Sequence, residues 1–145
     1  MDNITQINHF LYMGSFAHCA ENTPEFVRLN IDNVLNFAIE IKPMPNPKIN
    51  IVTFAIDDVF HPTLLDVIDE AELYLRGLIK NKKRIYLACS DGNSRAPAVL
   101  IYYLIKKKNM SYEDAYELIE KKRPEISLHP NFCSELHQIS EISNY

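Results

Sequence analysis

Cysteine is scarce and odd in number: Cys19, Cys89 and Cys133 are the three in a chain of 145 residues, and their spacing suggests no pairing. That argues against a disulfide-stapled secreted scaffold and suits a reducing compartment, so a cytoplasmic or nuclear protein is expected. Long apolar runs are missing too, and nothing approaches the ~20 residues of a membrane-spanning helix. The N-terminus has no charged-then-apolar leader, Asp2 follows Met1 where myristoylation would need glycine, and the chain ends Ser143-Asn144-Tyr145 without a prenylation motif. No membrane association is expected. Positive charge is not in excess either: the net charge is −4, so composition makes no case for nucleic acid as a partner. Lys106-Lys107-Lys108 and Lys121-Lys122-Arg123 read as charges placed favourably at helix C-termini. Internal repeats and low-complexity linkers are absent. With 47% apolar and 23% charged residues, a single folded domain over 1–145 is expected.

Within that domain, strands are expected near Ile4 to Ile7, Leu11 to Met13, Asp32 to Phe37, Ile51 to Ile56 and Arg84 to Ala88. Helical turns are expected across Ala17 to Asn30, and Pro43, Pro45 and Pro47 define a surface loop. Pro62 opens a long helix in which Leu64, Leu65, Ile68, Ala71, Leu75 and Leu78 recur at three- and four-residue spacing. The helix after Arg95 is apolar nearly all round, which predicts burial between layers. Ser111 with Asp114 caps the next helix, whose inner face should be Ala115, Leu118 and Ile119. A last helix starts near Pro130 and carries Phe132, Leu136 and Ile139. Strands alternating with helices, then a helical C-terminal half, predict an α/β fold with a single, mostly parallel central sheet flanked by helices.

The chemistry concentrates in Cys89-Ser90-Asp91-Gly92-Asn93-Ser94-Arg95. A buried strand enters this loop, one of only three glycines sits inside it, and an apolar helix with Pro97 in its first turn leaves it. Strand, tight loop and helix N-terminus make a cradle of backbone N–H groups for a tetrahedral oxyanion, with no metal or other cofactor required. Ser90, Asp91, Gly92, Asn93 and Ser94 would form its wall, and Arg95 would hold two phosphate oxygens bidentately. Cys89 at its base would be the nucleophile, its thiol pKa lowered by the amides, the helix dipole and Arg95. Either Asp57 or Asp58, at the end of a strand, could supply the proton a leaving oxygen needs. His129, Cys133 and His137 at i, i+4 and i+8 are too spread along one face to ligate a single metal ion.

This Cys-x5-Arg loop resembles the signature of the cysteine-dependent protein phosphatases. Ile7-Asn8-His9-Phe10-Leu11-Tyr12-Met13-Gly14-Ser15, Ile31-Asp32-Asn33-Val34-Leu35-Asn36, Ile56-Asp57-Asp58 and Arg123-Pro124 with Pro130-Asn131-Phe132 and Leu136 narrow the resemblance to the small, atypical dual-specificity branch. The resemblance implies a phosphatase acting on phosphotyrosine and phosphoserine/threonine in proteins, with no kinase-docking module. It selects Asp58 over Asp57 as general acid and assigns Asn131 to support the loop by hydrogen bonding. Two positions depart from the family pattern. Ala88 stands where histidine normally precedes the nucleophile, and Ala96 stands where a hydroxyl normally follows the arginine. The second departure implies slow hydrolysis of a phosphoenzyme. The departures leave open a phosphoprotein-binding pseudophosphatase, and the same chemistry would serve an RNA 5′-triphosphatase or a phosphoinositide phosphatase.

Overall fold

The computed structural model describes residues 4–17, 23–43, 48–57 and 64–143. Five strands, β1 (Thr5–Gln6), β2 (Leu11–Ser15), β3 (Asn33–Ala38), β4 (Asn50–Ile56) and β5 (Ile85–Cys89), form one sheet in the order β1-β2-β5-β3-β4. Among the described residues only the β1–β2 pair is antiparallel. Every residue of β2, β3 and β5 is buried, as a parallel sheet covered on both faces requires. The strand period of two then sorts their side chains between two cores. Leu11, Met13, Leu35, Phe37, Ile85, Leu87 and Cys89 face the larger one, while Tyr12, Val34, Tyr86 and Ala88 face a smaller one completed by Phe26. Ala88 therefore points away from Cys89, into the opposite core.

Helix α1 (Thr23–Arg28) carries Phe26 beneath the smaller core. On the other face lie α2 (Leu64–Lys80), α3 (Arg95–Lys108), α4 (Tyr112–Lys122) and α5 (Pro130–Ser143). Helix α3 is buried continuously from Arg95 to Ile105 because α2, α4 and α5 all pack on it, which is why its sequence shows almost no polar face. It ends on Asn109, in the left-handed region at φ 56°, whose N–H caps the Leu104 carbonyl. The Ser111 hydroxyl accepts the Asp114 N–H as expected for an N-cap.

Two details differ from the sequence expectation. Leu118 is 40% exposed, and the inner face of α4 is Tyr112, Ala115 and Ile119. The carboxylate of Glu72 is buried within the otherwise apolar face of α2, which it can be because Arg76 one turn later pairs with it. The strands β2, β3 and β5 all end on the same side of the sheet, at Ser15, Ala38 and Cys89. In open α/β sheets that edge is where ligands bind.

Candidate active site

Strand β5 delivers Cys89 as its last residue, one place further than the sequence pattern suggested. The chain then turns through residues 90–94 and re-enters regular structure at Arg95, the first residue of α3. Gly92 makes that turn possible. Its φ is +79°, and a Cβ built on it would lie 2.4 Å from the carbonyl carbon of Gly14. The loop thus lies directly against the β2 backbone, a contact only glycine allows.

The loop's outer side is tied down by groups far along the chain. The guanidinium of Arg123, 2% exposed, donates through Nε to the Gly92 carbonyl at 3.1 Å and to Asn93 Oδ1 at 3.1 Å. Its Nη2 donates to the Asp91 carbonyl at 3.0 Å, and its Nη1 to Thr5 Oγ1 at 2.9 Å. The Ser127 N–H donates to the Asn93 carbonyl at 2.8 Å, and the His129 N–H to Ser94 Oγ at 3.0 Å. Asp91 is exposed, and its Oδ1 accepts the Asn93 N–H at 2.9 Å, an Asx turn within the loop. Ser90 is exposed as well.

Arg123 is therefore a correction to the sequence reading. Lys121 and Lys122 are the exposed helix-end charges expected, but Arg123 turns inward as the brace of the loop. Asn131, expected to be that support, is exposed at the start of α5. Among the described residues its recorded hydrogen bond runs from its backbone N–H to His129 Nδ1. His137 pairs with Glu113 and stacks on Tyr112, the Cys133 thiol faces the Leu128 carbonyl, and among the described residues no group of three His, Cys, Asp or Glu is arranged to hold a metal.

Arg95 is buried and its guanidinium is held on one edge. Nη1 and Nη2 donate to the two carboxylate oxygens of Glu40 at 2.6 and 2.7 Å, and Nη1 also donates to the Ile56 carbonyl at 2.9 Å. Glu40, which no sequence motif singled out, is held below the usual carboxylate range by that contact. Asp57 follows β4 beside this carbonyl and is half-buried, while Asp58 lies outside the described residues.

The Cys89 thiol is buried, with the Ala96 N–H donating to Sγ at 3.4 Å. Here the expected lowering of its pKa is reversed. Burial pushes the thiol up, the amides of Ala96 and Ser94 and the charge of Arg95 pull it down by less, and Asp91 adds to the rise. The loop sequence displays the donors but not the depth at which β5 sets the sulfur. Alkylation of Cys89 by iodoacetamide, followed by mass spectrometry, should have a pH profile centred above the ~8.5 of a free thiol. Asp91→Asn should move that centre to lower pH, since it removes one of the charges raising it. A parent profile centred below about pH 7, within the range of activated cysteines, would overturn this balance.

Comparison with known proteins adds a family match. The family model described as dual specificity phosphatase, catalytic domain, matches residues 11–142. Dual specificity protein phosphatase 1B of Arabidopsis thaliana is 26% identical over 140 residues, covering 96% of this chain and 83% of that protein. The putative tyrosine-protein phosphatase AMV078 of Amsacta moorei entomopoxvirus is 27% identical over 131 residues, covering 83% and 77%. The match to tyrosine-protein phosphatase vhp-1 of Caenorhabditis elegans, 26% over 143 residues, takes in 97% of this chain and 22% of that longer protein. Among solved structures, human DUSP28 superposes with a TM-score of 0.86 at 19% identity over 98% of this chain and 95% of that one.

Proposed function

The chain belongs to the family of the dual specificity phosphatase catalytic domain and is a cysteine-dependent protein phosphatase, and from that premise we propose the role of each site residue in hydrolysing phosphotyrosine and phosphoserine/threonine. The Cys89 thiolate attacks phosphorus, forming the S–P bond as the bond to the leaving oxygen breaks. Asp58 gives that oxygen its proton. Water then attacks the phosphocysteine, the Asp58 carboxylate takes the water's proton, and the S–P bond breaks to return the thiolate and release phosphate. Arg95 and the loop amides other than that of Asn93, whose N–H Asp91 accepts, hold the three equatorial oxygens, whose charge grows in the transition state. The observation carrying this reading is the meeting of a buried thiol and a buried arginine at the carboxyl ends of the strands, either side of one braced loop.

Ala96 lacks the side-chain hydroxyl that would steady the departing sulfur, but its backbone N–H already points at Sγ. That contact favours turnover over simple phosphoprotein binding. The decisive assay is hydrolysis of nitrophenyl phosphate and of phosphotyrosine and phosphothreonine peptides by the purified chain, with and without vanadate. No vanadate-sensitive turnover on any of them would overturn the proposal. Asp58→Asn should lower the rate on the peptides roughly 10²–10⁴-fold, the usual range for a general acid, and Asp57→Asn far less. The reverse order would move the acid to Asp57. We also assign the protein to the cytoplasm or nucleus, supported by the free thiols of Cys89 and Cys133. Its appearance in a secretory compartment on fractionation would overturn that assignment.

A further inference from the structure

An edge strand exposes a row of unpaired N–H and C=O groups, and soluble proteins usually blunt it. Among the described residues, this sheet blunts one of its two edges. Strand β1 is two residues long, too short to template another chain. Strand β4, at the other edge, is seven residues long and carries neither charge nor proline. The Asn50 N–H donates to the Asp32 carbonyl at 2.8 Å, and the Ile56 carbonyl accepts the Ile39 N–H at 3.4 Å. Alternate residues from Asn50 to Ile56 therefore turn their backbone groups to β3, and those of Ile51, Thr53 and Ala55 point outward. Among the described residues nothing bonds to them on that side. The register shift opposite Asn36 to Ala38 lies past Thr53, and exposed and buried residues still alternate from there to Ile56.

Helix α2 continues this surface. Val67, Glu70, Leu73 and Tyr74 line a groove with the stretch of β4 from Val52 to Ala55, and Leu73 is 61% exposed. Its floor is firm, because the Tyr74 ring packs on Phe54 at 5.6 Å and its hydroxyl accepts Asn50 Nδ2 at 3.2 Å. We propose that this edge is a homodimer interface, at which a second copy adds its own β4 antiparallel and joins the two sheets into one. The outward groups are symmetric about Thr53. A two-fold axis there sets Thr53 against its own copy and Ile51 against the second copy's Ala55, and each such pair exchanges two hydrogen bonds. Facing threonines are a favourable cross-strand pair, and β4 brings no charge to meet its like. The charges on α2 complement themselves in the same arrangement. Asp69 and Glu70 lie in its first half and Arg76 and Lys80 in its second, so two antiparallel copies set acidic half against basic half. A two-fold contact also closes on itself, which consumes the edge in one step instead of growing a fibre. The antiparallel join sends the two Cys89 loops to opposite sides of the joined sheet, and both sites stay open.

Sedimentation velocity over a dilution series tests this. At about 100 μM the parent should sediment at twice its 16.8 kDa chain mass, and dilution should return it toward the single-chain mass. Thr53→Pro removes a donor that β3 does not use, so circular dichroism should show a retained fold while the dimer Kd rises at least about tenfold. Leu73→Lys alters an exposed residue, sets two ammonium groups near the axis, and should weaken the dimer similarly; it decides the matter if the proline variant folds poorly. Turnover of nitrophenyl phosphate per chain by Leu73→Lys should equal the parent's, since Leu73 has no part in the site. A parent that stays monomeric throughout the series would overturn the inference and leave the edge to a strand of another protein. A dimer that either folded variant keeps at the parent's affinity would place the contact elsewhere and overturn it equally.

Discussion

Replacing Cys89 with serine should reduce phosphatase turnover to background while phosphopeptide affinity stays within a few-fold of the parent. The nucleophile must carry a negative charge to attack phosphorus, and a serine hydroxyl, far less acidic than a thiol, would stay protonated at this position. The thiol also starts from an unfavourable balance, since burial already holds its pKa up. A harder group to deprotonate, at the same depth, has no route to the reactive form. The binding cradle does not depend on the sulfur. Its shape is set by Arg123, Ser127 and His129 on one side and by Glu40 and the Ile56 carbonyl on the other. The Ala96 N–H reaches Sγ at 3.4 Å, and a serine oxygen can accept it. Calorimetry with a phosphotyrosine peptide should therefore detect binding by a variant that is silent in the rate assay. Hydrolysis by Cys89→Ser at a rate near the parent's would remove Cys89 from the mechanism, and loss of binding alongside loss of rate would mean the sulfur helps to build the cradle.

That separation of nucleophile from cradle also explains which parts of the site were legible in the sequence. Cys89 and Arg95 are six positions apart, so the strand before them and the helix after them place both without any long-range contact. The same holds for Gly92 inside the turn and for the continuous burial of α3, which the unbroken apolar run from Ala96 to Ile105 announces, Pro97 included. Glu40 and Arg123 were not legible. Glu40 meets Arg95 across 55 positions, and Arg123 meets Gly92 across 31 and Thr5 across 118. A charged residue at a turn or helix end has an ordinary surface role, and nothing local distinguishes one that turns inward. Leu118 was misplaced for a related reason: helical spacing puts it on the same broad face as Ala115 and Ile119, but only packing decides how far that face is covered. The direction of the Cys89 pKa shift failed because donors can be counted in a sequence, whereas the depth of burial cannot.

Gly92→Ala should be the most damaging of the conservative substitutions available in this chain, and Gly77→Ala provides its internal control. At Gly92 two penalties add. Alanine at a φ of +79° sits in the left-handed region, which disfavours a side chain by roughly 1–2 kcal/mol. Its Cβ would also lie 2.4 Å from the carbonyl carbon, 2.7 Å from Cα and 2.7 Å from the carbonyl oxygen of Gly14. Those are backbone atoms inside a parallel ladder with β5, so they cannot swing aside as a flexible side chain would. Forcing them apart is an overpacking change of about 1–3 kcal/mol. The sum, about 2–5 kcal/mol, is a large share of the ~5–15 kcal/mol that stabilises a typical domain. It should lower the Tm by roughly ten degrees for a chain of this size. Whatever relieves the clash must also move the loop relative to Gly14 or turn its peptides, so turnover should collapse even in the fraction that folds. Gly77 is exposed in the interior of α2, and a Cβ there meets nothing within 4 Å. The same substitution at that site should stabilise by about 0.5–1 kcal/mol through helix propensity alone, raise the Tm by a few degrees and leave the rate unchanged. Thermal unfolding and nitrophenyl phosphate turnover of the two variants, measured side by side, should move in opposite directions in stability and diverge completely in rate. A Gly92→Ala protein with the parent's Tm and activity would show that the loop does not press on β2 as closely as the Gly14 contact requires.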